Sequence, residues 1–451
     1  MLVKICIENF KSFDEACEMT MISSSKIQGN TDHKIKIKST NILKYGVVYG
    51  ANASGKSNLV DFFHFFKMCI MKGVPIEATE WFCKNKEENK LKDSSFEMQF
   101  TIGNKFYAYG FSVCLSERKF VSEWLYELFQ DGTAKCLFER EVKKRPVLND
   151  TIKISTAEKR RFEIYADDFK NNETTLFLTE MNRGKNIALD SKLSFFQKVY
   201  QWFVNHLYVI RPNTQLIDLE YYYEDSTLDL MNQVISTFDT GISKVSIQTI
   251  GFEELENNMP KPLFIEIMNH IRSKLEESNE NKMQLSLRFN KSFYNIQIEP
   301  NKKPVVTTIC LKHGMSFYDF KFEDESDGTR RLFDLIDMLL NKRDDVVYVV
   351  DELDRSLHPK LMQHFLHLFM QMHENKKKQL LFTTHEATIM DQSLLRRDEI
   401  WFIERNEQNS SIIFSLDRFK ERYDKVLSNA YLEGRYGAIP VFSTFEFEKE
   451  D

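Results

Sequence analysis

The segment Tyr45–Ser57, YGVVYGANASGKS, restricts the fold of this chain more than any other stretch. Tyr45-Gly-Val-Val-Tyr49 is an apolar run with the character of a fully buried strand. Gly50-Ala51-Asn52-Ala53-Ser54-Gly55-Lys56-Ser57 follows and matches GxxxxGK[ST] without a gap. Ser57-Asn-Leu-Val-Asp-Phe-Phe then starts a helical pattern. Glycines at both ends let the loop wrap closely, so that backbone N–H groups and the helix N-terminus converge on phosphate oxygens. The expected nucleotide-binding set runs from Gly50 through Asn58. Within it, Lys56 reaches the outer phosphates and the Ser57 hydroxyl ligates Mg²⁺.

Three later segments fit the same chemistry. Val346-Val-Tyr-Val-Val350 is a second buried-strand candidate and ends in Asp351-Glu352. Ligands gather at the carboxyl ends of parallel strands, so Asp351 is placed to hold Mg²⁺ and Glu352 to polarise an attacking water. Leu380-Leu-Phe-Thr-Thr-His385 is a third such strand, and His385 stands where a γ-phosphate can be sensed. Ser326-Asp327-Gly328-Thr329 opens the helical pattern Arg330–Leu340. That segment reads either as an anion site or as an ordinary N-cap.

Around these motifs the chain falls into blocks. Residues 1–141 are mostly strands, with a hairpin turning at Gly103-Asn104 and another turn at Asp131-Gly132. Residues 142–281 start polar, with basic clusters Lys143-Lys144-Arg145 and Lys159-Arg160-Arg161, and continue as amphipathic helices. One runs through Leu228, Met231, Val234, Ile235 and Phe238 and closes at Gly241, and another runs over Leu263–Ile271. Neither sustains heptads, so no long coiled coil is expected. Residues 282–416 return to strands and then alternate helix and strand, and 417–451 supply a helix and tail. The expected architecture is α/β: a mixed sheet, an antiparallel β subdomain and an inserted mainly helical region, with the two ends of the chain forming one nucleotide-binding domain.

Composition removes several classes. The 61 basic and 67 acidic residues give a net charge of −6, which excludes a wholly basic nucleic-acid binder. Thirty-eight Phe residues argue against extensive disorder. The seven cysteines are scattered and lack a CxxC pair, as expected for reduced thiols. No apolar run reaches the ~20 residues that span a bilayer, and the N-terminus is unlike a signal peptide, so a cytoplasmic protein is expected.

In order, the phosphate loop, the Ser-x-Gly helix start, the Asp-Glu strand end and the His strand end resemble the head domain of ABC ATPases, a group that includes SMC, Rad50, RecF and OLD-type proteins. The likeness narrows through Ile7-Glu-Asn-Phe-Lys-Ser-Phe13, Glu325-Ser-Asp-Gly-Thr-Arg330, Asp351-Glu-Leu-Asp-Arg-Ser-Leu-His-Pro359 and Tyr431-Leu-Glu-Gly-Arg-Tyr-Gly-Ala-Ile-Pro440. These strings resemble the prokaryotic AAA15/RloA group associated with phage defence and abortive infection. The resemblance implies ATP and Mg²⁺ as cofactors and homodimers or larger homo-oligomers. It also implies that Ser326, Asp327, Gly328 and Thr329 contact the ATP of a second subunit. His358 stands where many ABC heads have an aspartate, and Gln215 is a candidate for the glutamine loop.

The same resemblance implies a sensor or regulator paired with a Toprim-like nuclease from a neighbouring gene and set off by a phage-derived trigger, because too little chain follows His385 to hold that nuclease. Nucleic acid stays open as a further partner, and no membrane is expected. The competing reading is a RecF- or Rad50-like repair ATPase that clamps DNA directly. A transporter subunit fits poorly with hairpins directly after the phosphate loop.

Overall fold

The computed structural model describes every residue except 186, 189, 213–224, 278–282, 290–291, 300–301, 420–425 and 441–451. The chain divides into two compact units. One comprises Met1–Arg211, Asp344–Leu353 and His373–Asp451, and the other comprises Pro212–Arg343 and Asp354–Met372.

The first unit carries two sheets. Its six-stranded sheet has the order Leu207–Ile210, Val346–Val350, Lys378–Thr383, Tyr45–Tyr49, Ile400–Arg405, Ser411–Ser415. The first five strands are parallel and the last is antiparallel, which makes the sheet mixed. The three apolar runs singled out from the sequence are adjacent in it, with the Lys378–Thr383 strand between the other two. Every residue of Tyr45–Tyr49 and Val346–Val350 is buried, as parallel strands covered on both faces require. The second sheet has seven antiparallel strands, ordered Val147–Leu148, Ala134–Glu141, Lys119–Leu128, Lys105–Cys114, Ser94–Ile102, Leu2–Glu8, Cys17–Thr20.

Helix Lys56–Lys72 belongs to the core that these sheets share. Its apolar residues cover more than one stripe, with Phe62, Phe63, Phe65 and Phe66 all fully buried, the pattern of a helix enclosed on most sides. Phe65 and Phe66 meet Phe111 of the antiparallel sheet at centroid distances of 6.5 and 4.9 Å. Burying the four rings contributes roughly 6–12 kcal/mol as an upper bound. Gly73 ends the helix by donating its N–H to the Cys69 carbonyl at 3.0 Å.

The compact units part at Arg211, whereas the composition changes near residue 141. Helices Thr156–Phe169, Phe177–Glu180 and Ser194–Asn205 belong to the first unit and bury Phe162, Phe169, Phe177, Phe196 and Trp202 in its core. Charged residues between these rings hide that affiliation in the sequence. The second unit pairs the antiparallel strands Ile242–Ile250, Val305–His313, Ser292–Ile298 and Met283–Phe289 in that order. Its helices include Asp225–Ile235, Lys261–Glu277, Asp327–Leu340 and Pro359–Met372. The helix Asp225–Ile235 continues as a 3₁₀ turn over Ser236–Phe238 that ends at Asp239, φ 50°, two residues before Gly241, which is also left-handed at φ 77°.

Among the described residues no helix is long and apolar enough to cross a membrane. All seven cysteines are free and buried or partly buried.

Candidate nucleotide-binding site

The strand Tyr45–Tyr49 delivers the chain to Gly50, and Gly55 hands it to the first turn of helix Lys56–Lys72. Both glycines are required by geometry. A Cβ on Gly50 would lie 2.4 Å from the Ile403 carbonyl oxygen. Gly55 has φ 119° and would place a Cβ 2.4 Å from Ser411 Oγ and 2.8 Å from Ser12 Oγ. The loop therefore rests directly on strand Ile400–Arg405 and on two serine side chains. Lys56 Nζ donates to the carbonyls of Gly50 (2.7 Å) and Ala51 (3.0 Å), so the ammonium already sits inside the loop. Ser54 Oγ is buried and has no hydrogen-bond partner among the described residues.

A ring of polar contacts fixes the loop from below. Asn58 Nδ2 donates to Ser12 Oγ at 2.7 Å, Ser12 Oγ bonds Ser411 Oγ at 2.7 Å, and the Ser411 hydroxyl reaches the Ser54 carbonyl. Arg405 Nε donates to the Ala53 carbonyl at 3.0 Å, while its Nη1 donates to Asn409. Ser411 and Arg405 were not identified from the sequence, since they lie more than 300 residues from the loop. Ser12 was visible only as part of Ile7–Phe13.

Asp351 and Glu352 follow the strand Val346–Val350. Asp351 is buried and accepts from Thr383 Oγ1 at 2.6 Å, and the same hydroxyl oxygen accepts the Glu352 N–H at 2.8 Å. Thr383 thus braces both members of the acidic pair from the neighbouring strand, a role that the motif reading assigned to no residue. Glu352 has φ 49°, the left-handed conformation, which turns the chain sharply at the strand end. Thr384 N–H bonds the Val48 carbonyl at 3.1 Å and ties this strand end to the strand that feeds the phosphate loop. His385 follows, exposed, two residues beyond the strand. Parallel register therefore gathers Gly50–Asn58, Asp351, Glu352, Thr383 and His385 at one edge of one sheet.

Ser326–Thr329 lie in the second unit. Ser326 caps helix Asp327–Leu340 by accepting the Thr329 N–H at 3.1 Å, so the N-cap reading describes its local geometry. Gly328 is nonetheless needed for close approach, because a Cβ there would lie 2.6 Å from the Ser356 carbonyl oxygen. That contact seats the Ser356-Leu-His-Pro segment against the helix start. His358 Nδ1 accepts the Lys360 N–H at 3.2 Å, capping the helix Pro359–Met372. Gln215 lies outside the described residues.

Tyr431–Pro440 packs beside the phosphate loop. The Tyr431 ring lies 5.5 Å from Tyr49 and stacks on Phe402 at 5.7 Å, and Tyr436 is buried against Phe402 and Phe419. Glu404 accepts the Ala438 N–H at 2.9 Å, one residue before Arg405 contacts the loop.

The donor set fits Mg²⁺ with ATP. Among the described residues no group of three or more His, Cys, Asp or Glu converges as a self-contained metal site. An exposed Ser57 and a braced Asp351 are the few protein ligands that Mg²⁺ uses when phosphate oxygens and water complete its shell. The buried, orphaned Ser54 Oγ and the tight loop suit a phosphate anion.

A family model described as "AAA domain, putative AbiEii toxin, Type IV TA system" matches residues 47–391. The chain belongs to this AAA_21 family. The match starts in the strand feeding the phosphate loop and ends just beyond His385, so it includes Gly50–Asn58, Ser326–Thr329, Asp351, Glu352, Thr383 and His385, whereas Ser12, Arg405, Ser411 and Tyr431–Pro440 lie outside it. The AAA_21 protein is an ATPase of the AAA type in its domain assignment. No curated protein matches it. Among solved structures it is similar to an SMC head bound to the C-winged helix domain of ScpA, with 13% identity, 92% of this chain and 97% of that chain covered, and a TM-score of 0.42. It is likewise similar to the SMC head domain from Thermotoga maritima, with 14% identity, coverage of 92% and 98%, and a TM-score of 0.38.

Proposed function

We propose that the AAA_21 protein is an ATP-driven switch of the ABC-head type that regulates a partner effector in an anti-phage, abortive-infection system. The observation that carries the ATPase part is the shared sheet edge, where a phosphate loop, a braced Asp-Glu pair and His385 converge. The resemblance of Tyr431–Pro440 and the other quoted strings to the AAA15/RloA group supports the defence part. The family description, which names a toxin and a TA system, supports it too.

In this reading the loop N–H groups and Lys56 bind the phosphates, and Ser57 and Asp351 hold Mg²⁺. The metal, when bound, neutralises charge on the β- and γ-phosphates. Glu352 accepts the proton of the attacking water, and Thr383 keeps Asp351 and the Glu352 backbone in register. His385 hydrogen-bonds the γ-phosphate end. Ser326–Thr329 of a second subunit complete the site, so ATP binding and subunit association are one event. The output is restraint or release of a Toprim-like nuclease from a neighbouring gene.

The test uses two variants. Lys56→Ala is expected to lose ATP binding. Glu352→Gln is expected to keep binding, slow hydrolysis by about 10²-fold or more, and accumulate an ATP-dependent dimer or larger oligomer in light scattering. Unchanged turnover in Glu352→Gln would remove Glu352 as the base. Failure of a nuclease encoded beside this gene to co-purify with the chain would remove the effector assignment.

A further inference from the structure

A cavity of about 530 Å³ opens in the first unit, distant in sequence from the nucleotide motifs. Its wall includes Lys105, Lys135, Lys153, Lys192 and Lys198 against only two acids, Glu127 and Asp190. Lys105 is paired with Glu127 at 2.8 Å. Among the described residues the other four lysines make no ion pair. The lysines arrive from five different elements: strands Lys105–Cys114 and Ala134–Glu141, the loop before helix Thr156–Phe169, the loop after Asp190, and helix Ser194–Asn205. The tertiary fold, not a local basic run, therefore gathers them.

That gathering is costly without a counter-charge. The whole chain carries a net charge of −6, and a concave, low-dielectric wall focuses the field of like charges. The N-terminus of helix Ser194–Asn205 adds to the same field. Ser194 and Phe195 line the cavity, and the helix has neither a side-chain cap nor an acidic residue in its first turn. By contrast, the nearby helix Thr156–Phe169 is closed by a complete Ser155–Glu158 capping box.

A second cavity, of about 510 Å³, shares Ile152 and Lys153 with the first, so the hollow continues as a trough. There Lys159 and Arg145 stand beside Asp150 and Glu163, and Arg145 is paired with Glu163 and Asp167, so the uncompensated charge is that of the first cavity's four lysines. A single small anion would occupy only part of it. The aromatic rings along it, Tyr107, Phe162 and Phe195, are all buried, which leaves no exposed face for stacking bases.

We propose that this trough binds the phosphodiester backbone of a nucleic-acid strand, through lysine charge and without base readout. Neutralising about four phosphates gives a log–log salt slope of about −2.8 for a single strand, or a loss of about 50-fold in affinity between 50 and 200 mM salt.

The test is fluorescence anisotropy of a labelled 20-nucleotide oligo-dT with the full chain across that salt range. The double variant Lys153→Ala/Lys198→Ala is expected to halve the slope to about −1.4, with ATP binding intact. Lys36→Ala/Lys38→Ala, which removes two lysines outside the trough, is expected to leave the slope unchanged. Equal effects of the two doubles, or none from either, would overturn the assignment. So would an absence of oligonucleotide binding at 50 mM salt. Competition by AMP as effective as that by unlabelled oligonucleotide would overturn the polymer in favour of a small phosphorylated ligand.

Discussion

Replacing Thr383 by Val tests the site where its geometry is most explicit. Val keeps the volume and branching of Thr, so no cavity opens and the strand Lys378–Thr383 is undisturbed. Only the hydroxyl disappears, and with it two bonds: the one it donates to Asp351 at 2.6 Å and the one it accepts from the Glu352 N–H at 2.8 Å. Losing a hydrogen bond to a carboxylate costs about 1.5–3 kcal/mol, and stranding a poorly hydrated N–H costs about 1–3 more. With some relaxation, a net destabilisation of about 3 kcal/mol is expected in urea unfolding. The functional effect should be larger than the stability effect. A misplacement of the acidic pair by about 1 Å is enough to cost on the order of 10²-fold in turnover. The assay is phosphate release at saturating ATP, alongside equilibrium ATP binding, for Thr383→Val and Thr383→Ser. Val should lower kcat about 10²-fold while binding changes little, and Ser should restore most of the rate. Wild-type turnover in Thr383→Val would refute the bracing role. A rate lost equally in Ser and Val would show that the methyl group, not the hydroxyl, matters.

Three further outcomes follow from other contacts. Gly55→Ala forces an L-residue to φ 119° and drives a Cβ against Ser411 and Ser12, so it should cost at least about 1–3 kcal/mol of stability and most ATP affinity, read by calorimetry. Arg405→Met removes the bond to the Ala53 carbonyl and should raise the Kd for ATP about 5-fold, equivalent to about 1 kcal/mol, without moving the unfolding midpoint. Burial lowers the Lys67 ammonium to about 8, whereas an unfolded lysine titrates near 10.4. Between those values the unfolded chain holds the extra proton, so this group's contribution to stability rises with pH. Its bonds to the Val204 and Leu207 carbonyls (3.0 and 2.7 Å) favour the charged form and offset part of the effect. From pH 7 to 10 the parent should gain about 1–3 kcal/mol relative to Lys67→Met. A constant difference between the two proteins would refute it.

The strand–loop–helix Tyr45–Lys72 and the Val346–Glu352 strand end were legible because each is local: a short apolar run followed by residues of fixed type. The Gly103-Asn104 hairpin was legible for the same reason. What sequence reading missed is what the fold assembles from afar. Ser12 reaches the loop from a turn, and Ser411 and Arg405 from two strands, and a lone Ser or Arg carries no spacing signal. Thr383 stood inside the Phe-Thr-Thr-His run, but only strand order shows that its hydroxyl meets Asp351. The affiliation of residues 142–211 was hidden differently. Phe162, Phe169, Phe177 and Phe196 are spaced among charges too widely to form one periodic pattern, yet all join the core of the first unit. The paired loops at Ser326 and Ser356 became visible only through the missing Cβ of Gly328.

The path of the chain gives the acidic strand a mechanical property. Asp344–Leu353 is the only piece of the first unit that is joined to the second at both of its ends, at Arg343 and at Asp354. It acts as a ten-residue strap fastened at two points. Any pull on the second unit reaches this strap through covalent bonds at both ends, while its parallel neighbours Leu207–Ile210 and Lys378–Thr383 lie near the other two junctions, at Arg211 and His373. The phosphate loop is flanked by elements within the first unit, and its helix Lys56–Lys72 meets a junction non-covalently, where Asp61 pairs with Arg211 at 3.3 Å. In the switch proposed above, load on the second unit would therefore reach Asp351 and Glu352 along the chain itself, from both sides.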